Sequence, residues 1–148
     1  MKKTIVILAA ILIIPSAILA NEQDVKGLVG QAVTFFQDKG QDYSVKVFNA
    51  LHGPFVKGPF YVFVGTLDGR MLAHPFSKDL LEKPLMEVKD TKGKLFFHEF
   101  IDVAKSPGEG WVEYWWPYPG TKEPTLKRSY VKRVPDKDIW ISAGYYTK

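Results

Sequence analysis

Apolar positions recur at helical spacing between residues 24 and 39. Val25, Leu28, Val29, Ala32, Val33 and Phe36 fall on one stripe, with Asp24 as an N-cap and Gly40 as a stop. A second helical stretch runs from Asp42 to Leu51 and carries Val45, Phe48 and Leu51, closed by Gly53-Pro54. The pattern then changes. Phe60 to Val64 is rich in aromatic and β-branched residues, Asp68-Gly69 is a hairpin signal, and Arg70 to His74 is its partner strand, ended by Pro75. Residues 76–94 read as a long loop with one helical turn near Lys78 to Leu81, and a loop of this length in a compact domain carries function or irregular structure. Phe96 to Lys105 returns to helical spacing through Phe96, Phe97, Phe100, Ile101 and Ala104. Three strands follow, over Gly110–Trp116, Leu126–Val134 and Ile139–Tyr146. The expected fold is α+β: one five-stranded antiparallel sheet, a long N-terminal helix, and helices packed on one side.

The first twenty residues read differently. Met1-Lys2-Lys3 is basic, Thr4 to Ile14 is almost wholly apolar, Pro15-Ser16 breaks the run, and Ala17 to Ala20 precedes polar Asn21-Glu22. This is a signal-peptide layout with cleavage near Ala20, and the alternative is an uncleaved anchor. Residues 21–148 are expected to form a single domain, exported to the periplasm or secreted. There is no cysteine, so that domain holds its fold without disulfides. Loss of Lys2 and Lys3 reduces the net charge from +4 to +2, a mixed surface that argues against nucleic acid.

Enzyme chemistry finds little support. No cysteine means no thiol nucleophile, and there is no Gly-x-Ser-x-Gly elbow or phosphate-cradling glycine loop. Glu109 and Glu113 are four apart, about 13 Å on an extended strand, wider than the roughly 5–9.5 Å of a glycosidase pair. The three histidines lack metal-ligand spacing. No catalytic residue, metal or cofactor is expected.

The dense feature is Tyr114-Trp115-Trp116-Pro117-Tyr118, followed by Lys127-Arg128-Ser129-Tyr130. Tyr114 and Trp116 are two apart on one strand and share a face. They either wall a pocket or serve as core rings with polar tips. Trp111, Glu113 and Trp115 take the opposite face. Composition alone reads Lys127 as a solvated lysine and His74 as a structural histidine. Strict alternation puts Lys127 and Tyr130 on opposite faces, so both reach one pocket only through a bulge or from the strand end. Arg133 shares the parity of Lys127 and is the substitute candidate.

These pieces together resemble a known family. Leu67-Asp68-Gly69 through Ala73-His74-Pro75, then Asp90 and Gly93, is similar to the first half of single Cache domains. Gly108 to Pro117 resembles their central strand, and Lys127 to Val131 and Trp140 to Tyr146 their last two, so the likeness spans residues 24–148. The resemblance implies a PAS-like extracytoplasmic sensor that binds a small molecule, often a short carboxylate, between the sheet and the long loop. It implies ligand contacts at His74, Tyr114, Trp116, Lys127 and Tyr130. Because the sequence ends shortly after Tyr146, the expectation is a stand-alone periplasmic form. Its partners would be a small-molecule ligand and a membrane kinase, chemoreceptor or transporter. The alternatives are a carbohydrate-binding module, with Trp111, Trp115 and Tyr118 stacking on sugars, or a protein-interaction module of the cell envelope.

Overall fold

The computed structural model describes residues 16–147, and the first fifteen residues of the expected leader lie outside them. Helix α1 (Ser16–Lys39) is longer than the stripe that begins at Val25, and its backbone continues through Ala20. No helix among the described residues is long and apolar enough to cross a membrane. Gly40 ends α1 at φ +79, in the left-handed region that glycine enters freely, and its N–H donates to the Phe36 carbonyl (3.0 Å). Helix α2 (Gln41–Phe48) folds back, burying Phe48.

A short ribbon of β1 (Val56–Lys57) and β2 (Phe60–Tyr61) precedes the main sheet; the sequence pattern had merged β2 with the next strand. Strands β3 (Phe63–Thr66) and β4 (Met71–Ala73) flank the Asp68-Gly69 turn as expected. Helix α3 (Phe96–Lys105) has the expected bounds. Strands β5 (Glu109–Pro117), β6 (Pro124–Arg133) and β7 (Ile139–Thr147) complete a five-stranded antiparallel sheet of order β4-β3-β7-β6-β5. The last strand in sequence therefore lies at the centre, and every residue from Ile139 to Tyr145 is buried.

That continuous burial reflects cover on both faces. On one face, Val25, Val29, Ala32 and Phe36 of α1 pack against Val64, Ile141, Ala143 and Tyr145. On the other, Phe96, Phe97, Phe100 and Ala104 of α3 pack against Phe63, Val112, Tyr114, Val131 and Trp140. The class and the five-stranded sheet are as expected, but the helices do not sit on one side. Both alternating sets of β7 are apolar or small, so each side of the sheet has surface to bury.

The long loop holds two 3₁₀ turns, Lys78–Glu82 and Leu85–Glu87, that bury Leu80 and Leu85. Two sets of bonds help to pin it. The Leu85 N–H donates to the Gly69 carbonyl (2.9 Å). The Asp90 carboxylate accepts from the backbone N–H groups of Lys92 and Lys94 (2.9 Å each) and of Trp115 on β5 (3.0 Å). Burial would raise the Asp90 pKa, but those three donors outweigh it and hold the carboxyl below its ordinary value. The loop is thus fastened beside Trp116.

Candidate functional site

Register builds the site. Lys127 on β6 is paired with Tyr114 on β5 and with Tyr146 on β7, and the ladder from Glu109 to Pro117 runs without a bulge. These side chains share the α3 face of the sheet. Gly144 makes room for the lysine: a Cβ there would stand 2.9 Å from Lys127 Cε and 2.7 Å from the Arg128 carbonyl oxygen.

Lys127 is fully buried, and its Nζ has no hydrogen-bond partner among the described residues. Aromatic rings surround it instead, with centroids of Tyr61 at 3.9 Å, Phe63 at 4.9 Å and Tyr146 at 5.2 Å. Desolvation drives its pKa well below the usual lysine value. An unpaired buried cation is costly, and an anion is the natural group to complete it.

His74 closes the same space. It is buried, with ring centroids 5.2 Å from Tyr61, 5.5 Å from Phe63 and 6.3 Å from Trp116. Its Nδ1 accepts the backbone N–H groups of Ser77 (2.9 Å) and Phe76 (3.3 Å), which places the proton of the neutral ring on Nε2. Burial, then Lys127, then Lys78 push its pKa well below the ordinary range. The His74 N–H donates to Asn49 Oδ1 (3.1 Å), so the end of α2 braces this corner.

Tyr114 lies stacked on Phe96 at 4.3 Å and 3°, and its hydroxyl shares a hydrogen bond with Ser129 Oγ (3.0 Å). It is thus a core ring, with its buried hydroxyl on the same face of the sheet as Lys127. Trp116, half-buried, meets Phe96 edge-on at 5.5 Å and reaches the loop side. The Tyr146 hydroxyl donates to the Pro117 carbonyl (2.9 Å), which leaves Tyr61 as the donor in the Tyr61–Tyr146 contact (3.3 Å). Burial raises the pKa of Tyr61, Tyr114 and Tyr146, so all three stay protonated at neutral pH. Outside them lies a cleft of about 670 Å³ lined by Tyr61, Phe76, Ser77, Trp116, Pro117 and Tyr118. Tyr61 and Trp116 belong to both this cleft and the buried cluster, whereas Lys127, His74 and Tyr114 do not line the cleft.

The structure thus brings His74, Tyr114, Trp116 and Lys127 together and sets Tyr130 apart. Tyr130 faces α1, where its hydroxyl donates to Glu109 Oε2 (2.6 Å) and its ring packs on Trp111 (5.2 Å) beneath Lys26. With no bulge, alternation decides the matter. Arg133 is remote too, at the strand end with Asp138 (2.8 Å). Trp111 and Trp115 lie on the face away from α3, as parity required, and form no exposed row: Lys26 and Arg128 lie over Trp111, and Lys92 over Trp115. Sequence reasoning missed Tyr61, Phe63 and Tyr146. The parity of Tyr146 opposite Lys127 was a usable signal. The Phe60–Val64 run, apolar throughout, gave none for Tyr61 and Phe63.

The molecule compares closely with known sensor domains. The methyl-accepting chemotaxis protein McpP of Pseudomonas putida is 29% identical over 115 residues, covering 78% of this chain and 21% of that protein. The chain therefore spans about a fifth of that relative. A solved structure described as the structural basis for carboxylic acid recognition by a Cache chemosensory domain superposes with a TM-score of 0.77 at 26% identity, covering 90% of this chain and 97% of that one. The periplasmic sensor domain of a chemotaxis protein gives 0.70 at 27% identity, covering 90% and 94%. A methyl-accepting chemotaxis protein from Vibrio parahaemolyticus shares the fold, with a TM-score of 0.76 at 19% identity and coverage of 88% and 91%. The family model described as Cache domain matches residues 28–148. With that match over most of its length and the sheet described above, the chain belongs to the Cache domain family.

Proposed function

We propose that this protein is an extracytoplasmic sensor that binds a short carboxylate against Lys127. The observation that carries the reading is the Lys127 side-chain nitrogen, buried in a cage of three rings with no acceptor among the described residues. A carboxylate would supply the missing acceptor through a charge-assisted bond. His74 Nε2–H and the Tyr114 hydroxyl are the neutral donors beside it, and Trp116 covers the ligand's apolar end. The solved Cache chemosensory domain described as recognising carboxylic acid, 26% identical, supports the ligand class.

The protein is read as a binder rather than an enzyme, periplasmic after cleavage near Ala20. Its relatives in chemotaxis favour a chemoreceptor as partner, with a membrane kinase or transporter as the other candidates. Calorimetry against acetate, propionate, lactate, pyruvate and a set of amino acids tests this. Heat at millimolar or lower ligand, with a matching change in tryptophan fluorescence, is the expected result. Silence across the whole panel in well-folded protein would refute the carboxylate assignment.

A further inference from the structure

The cage around Lys127 has a second property: among the described residues, none of the side chains that form it carries a negative charge. The rings over the amine are neutral: Tyr61 from β2, Phe63 from β3 and Tyr146 from β7. Tyr114 of β5 is paired opposite Lys127 in register, and His74, after β4, packs against Tyr61 and Phe63. The tyrosines hold their protons. His74 cannot take a second proton without turning Nδ1 from an acceptor into a donor that faces two amide N–H groups. The nearest charged groups on the loop are turned elsewhere. Lys78 Nζ donates to the Asn49 carbonyl (2.6 Å) and Oδ1 (3.0 Å), and Asp79 takes Lys83 (2.6 Å) while lining the cleft beyond Tyr61. The ring faces offset part of the cost of an ammonium but accept no conventional hydrogen bond from it.

We infer that carboxylate binding at this site is coupled to proton uptake, with Lys127 receiving the proton, so that the pocket takes its ligand as the equivalent of the uncharged acid. This rests on the carboxylate reading above. The balance is simple. A proton leaves solvent buffer and joins the lone pair of Nζ, the carboxylate enters as an anion, and the ammonium donates a hydrogen bond to a carboxylate oxygen. No covalent bond between heavy atoms forms or breaks. Net charge inside the cage is zero before and after, which is why the transfer into a low-dielectric interior is tolerable. The lowered basicity of the free amine agrees with this cycle. A consequence is that the sensor responds to pH as well as to ligand, reading the product of carboxylate and proton concentrations across the range where the free amine is neutral.

Titration calorimetry of the wild-type protein with sodium propionate tests this, run in phosphate and in Tris, whose ionisation heats differ. At pH 8 the difference in heat should report uptake of about one proton per ligand, and affinity should weaken by about tenfold or more between pH 7 and pH 9. A zero buffer dependence with affinity flat from pH 6 to 9 would overturn the inference while leaving the carboxylate reading intact, because the amine would already be charged in the free cage. Absence of heat with every short carboxylate would overturn both. As a second readout, Lys127→Arg fixes the charge. If it binds propionate, its buffer dependence should vanish, and persistent proton uptake would assign the proton to another group and overturn the inference. Should that variant fail to fold, the wild-type measurement decides alone.

Discussion

Replacing Lys127 with methionine should make the ligand-free protein more stable while abolishing binding. Nζ is fully buried and without an acceptor among the described residues. The effective penalty for a buried ion is several kcal/mol. Three rings within 3.9–5.2 Å return part of it, about 0.5–2 kcal/mol for each well-placed ring. Methionine fills nearly the same path but is one heavy atom shorter, and the resulting gap costs about 1 kcal/mol. The net gain should be about 1–3 kcal/mol, in line with other replacements of buried charges by apolar groups. For a domain of this size that is a rise in Tm of about 3–12 °C. Thermal unfolding followed by circular dichroism, on protein refolded free of ligand, measures it. The pH dependence supplies a control. The folded-state pKa of Lys127 is depressed, so the wild type carries its full penalty at pH values below that pKa. The penalty fades as pH rises toward the unfolded lysine value of about 10.4. The advantage of Lys127→Met should therefore shrink between pH 7 and pH 10. A lower Tm for the variant at pH 7 would refute the reasoning and show that the cage favours the ammonium outright.

Three further outcomes are expected. Tyr130→Phe should leave ligand affinity within about twofold and cost under about 1 kcal/mol, since Glu109 keeps Lys132 (2.6 Å) when the phenol is lost; a large loss of affinity on calorimetry would contradict its placement on the α1 face. Gly144→Ala should destabilise by about 1–3 kcal/mol in urea unfolding and weaken ligand binding, because its Cβ would meet the Arg128 carbonyl at 2.7 Å and Lys127 Cε at 2.9 Å; full stability and affinity would show that β7 shifts freely. His74 is held neutral, with its pKa well below the ordinary value, so the unfolded chain takes a proton below about pH 6.5 that the folded one refuses. Stability should then fall from pH 7 to pH 5, and His74→Asn, which keeps a side-chain acceptor, should flatten part of that slope in chemical denaturation.

Much of this molecule was legible before its structure. The bounds of α3 and the β3–β4 turn followed from a change of hydrophobic period and from Asp68-Gly69. Parity along β5 correctly divided Tyr114 and Trp116 from Trp111 and Trp115, because alternation is a local property of one strand. The same rule warned that Lys127 and Tyr130 diverge, and the unbroken β5–β6 register bears that out. What escaped was non-local. Helices on both faces depend on which strands become central: the near-continuous apolar run of Ile139 to Tyr145 signals burial on both sides, but not that its neighbours are β3 and β6. Tyr61 and Phe63 reach the lysine across the sheet, a meeting set by strand order rather than by either segment. Composition read Lys127 as solvated, since lysine is seldom buried. Its burial comes from the aromatic surroundings and from the missing Cβ of Gly144, which no single-position rule reveals.

Strand β6 gives neighbouring residues to opposite tasks. Lys127 points into the aromatic cage, while Arg128, the next residue, forms an ion pair with Glu22 of α1, bonds the Tyr145 hydroxyl (3.2 Å) and lies over Trp111. One planar, rigid peptide unit joins them. The strand therefore ties the two faces of the sheet together: a single peptide unit separates the caged amine of Lys127 from the guanidinium that holds the start of α1.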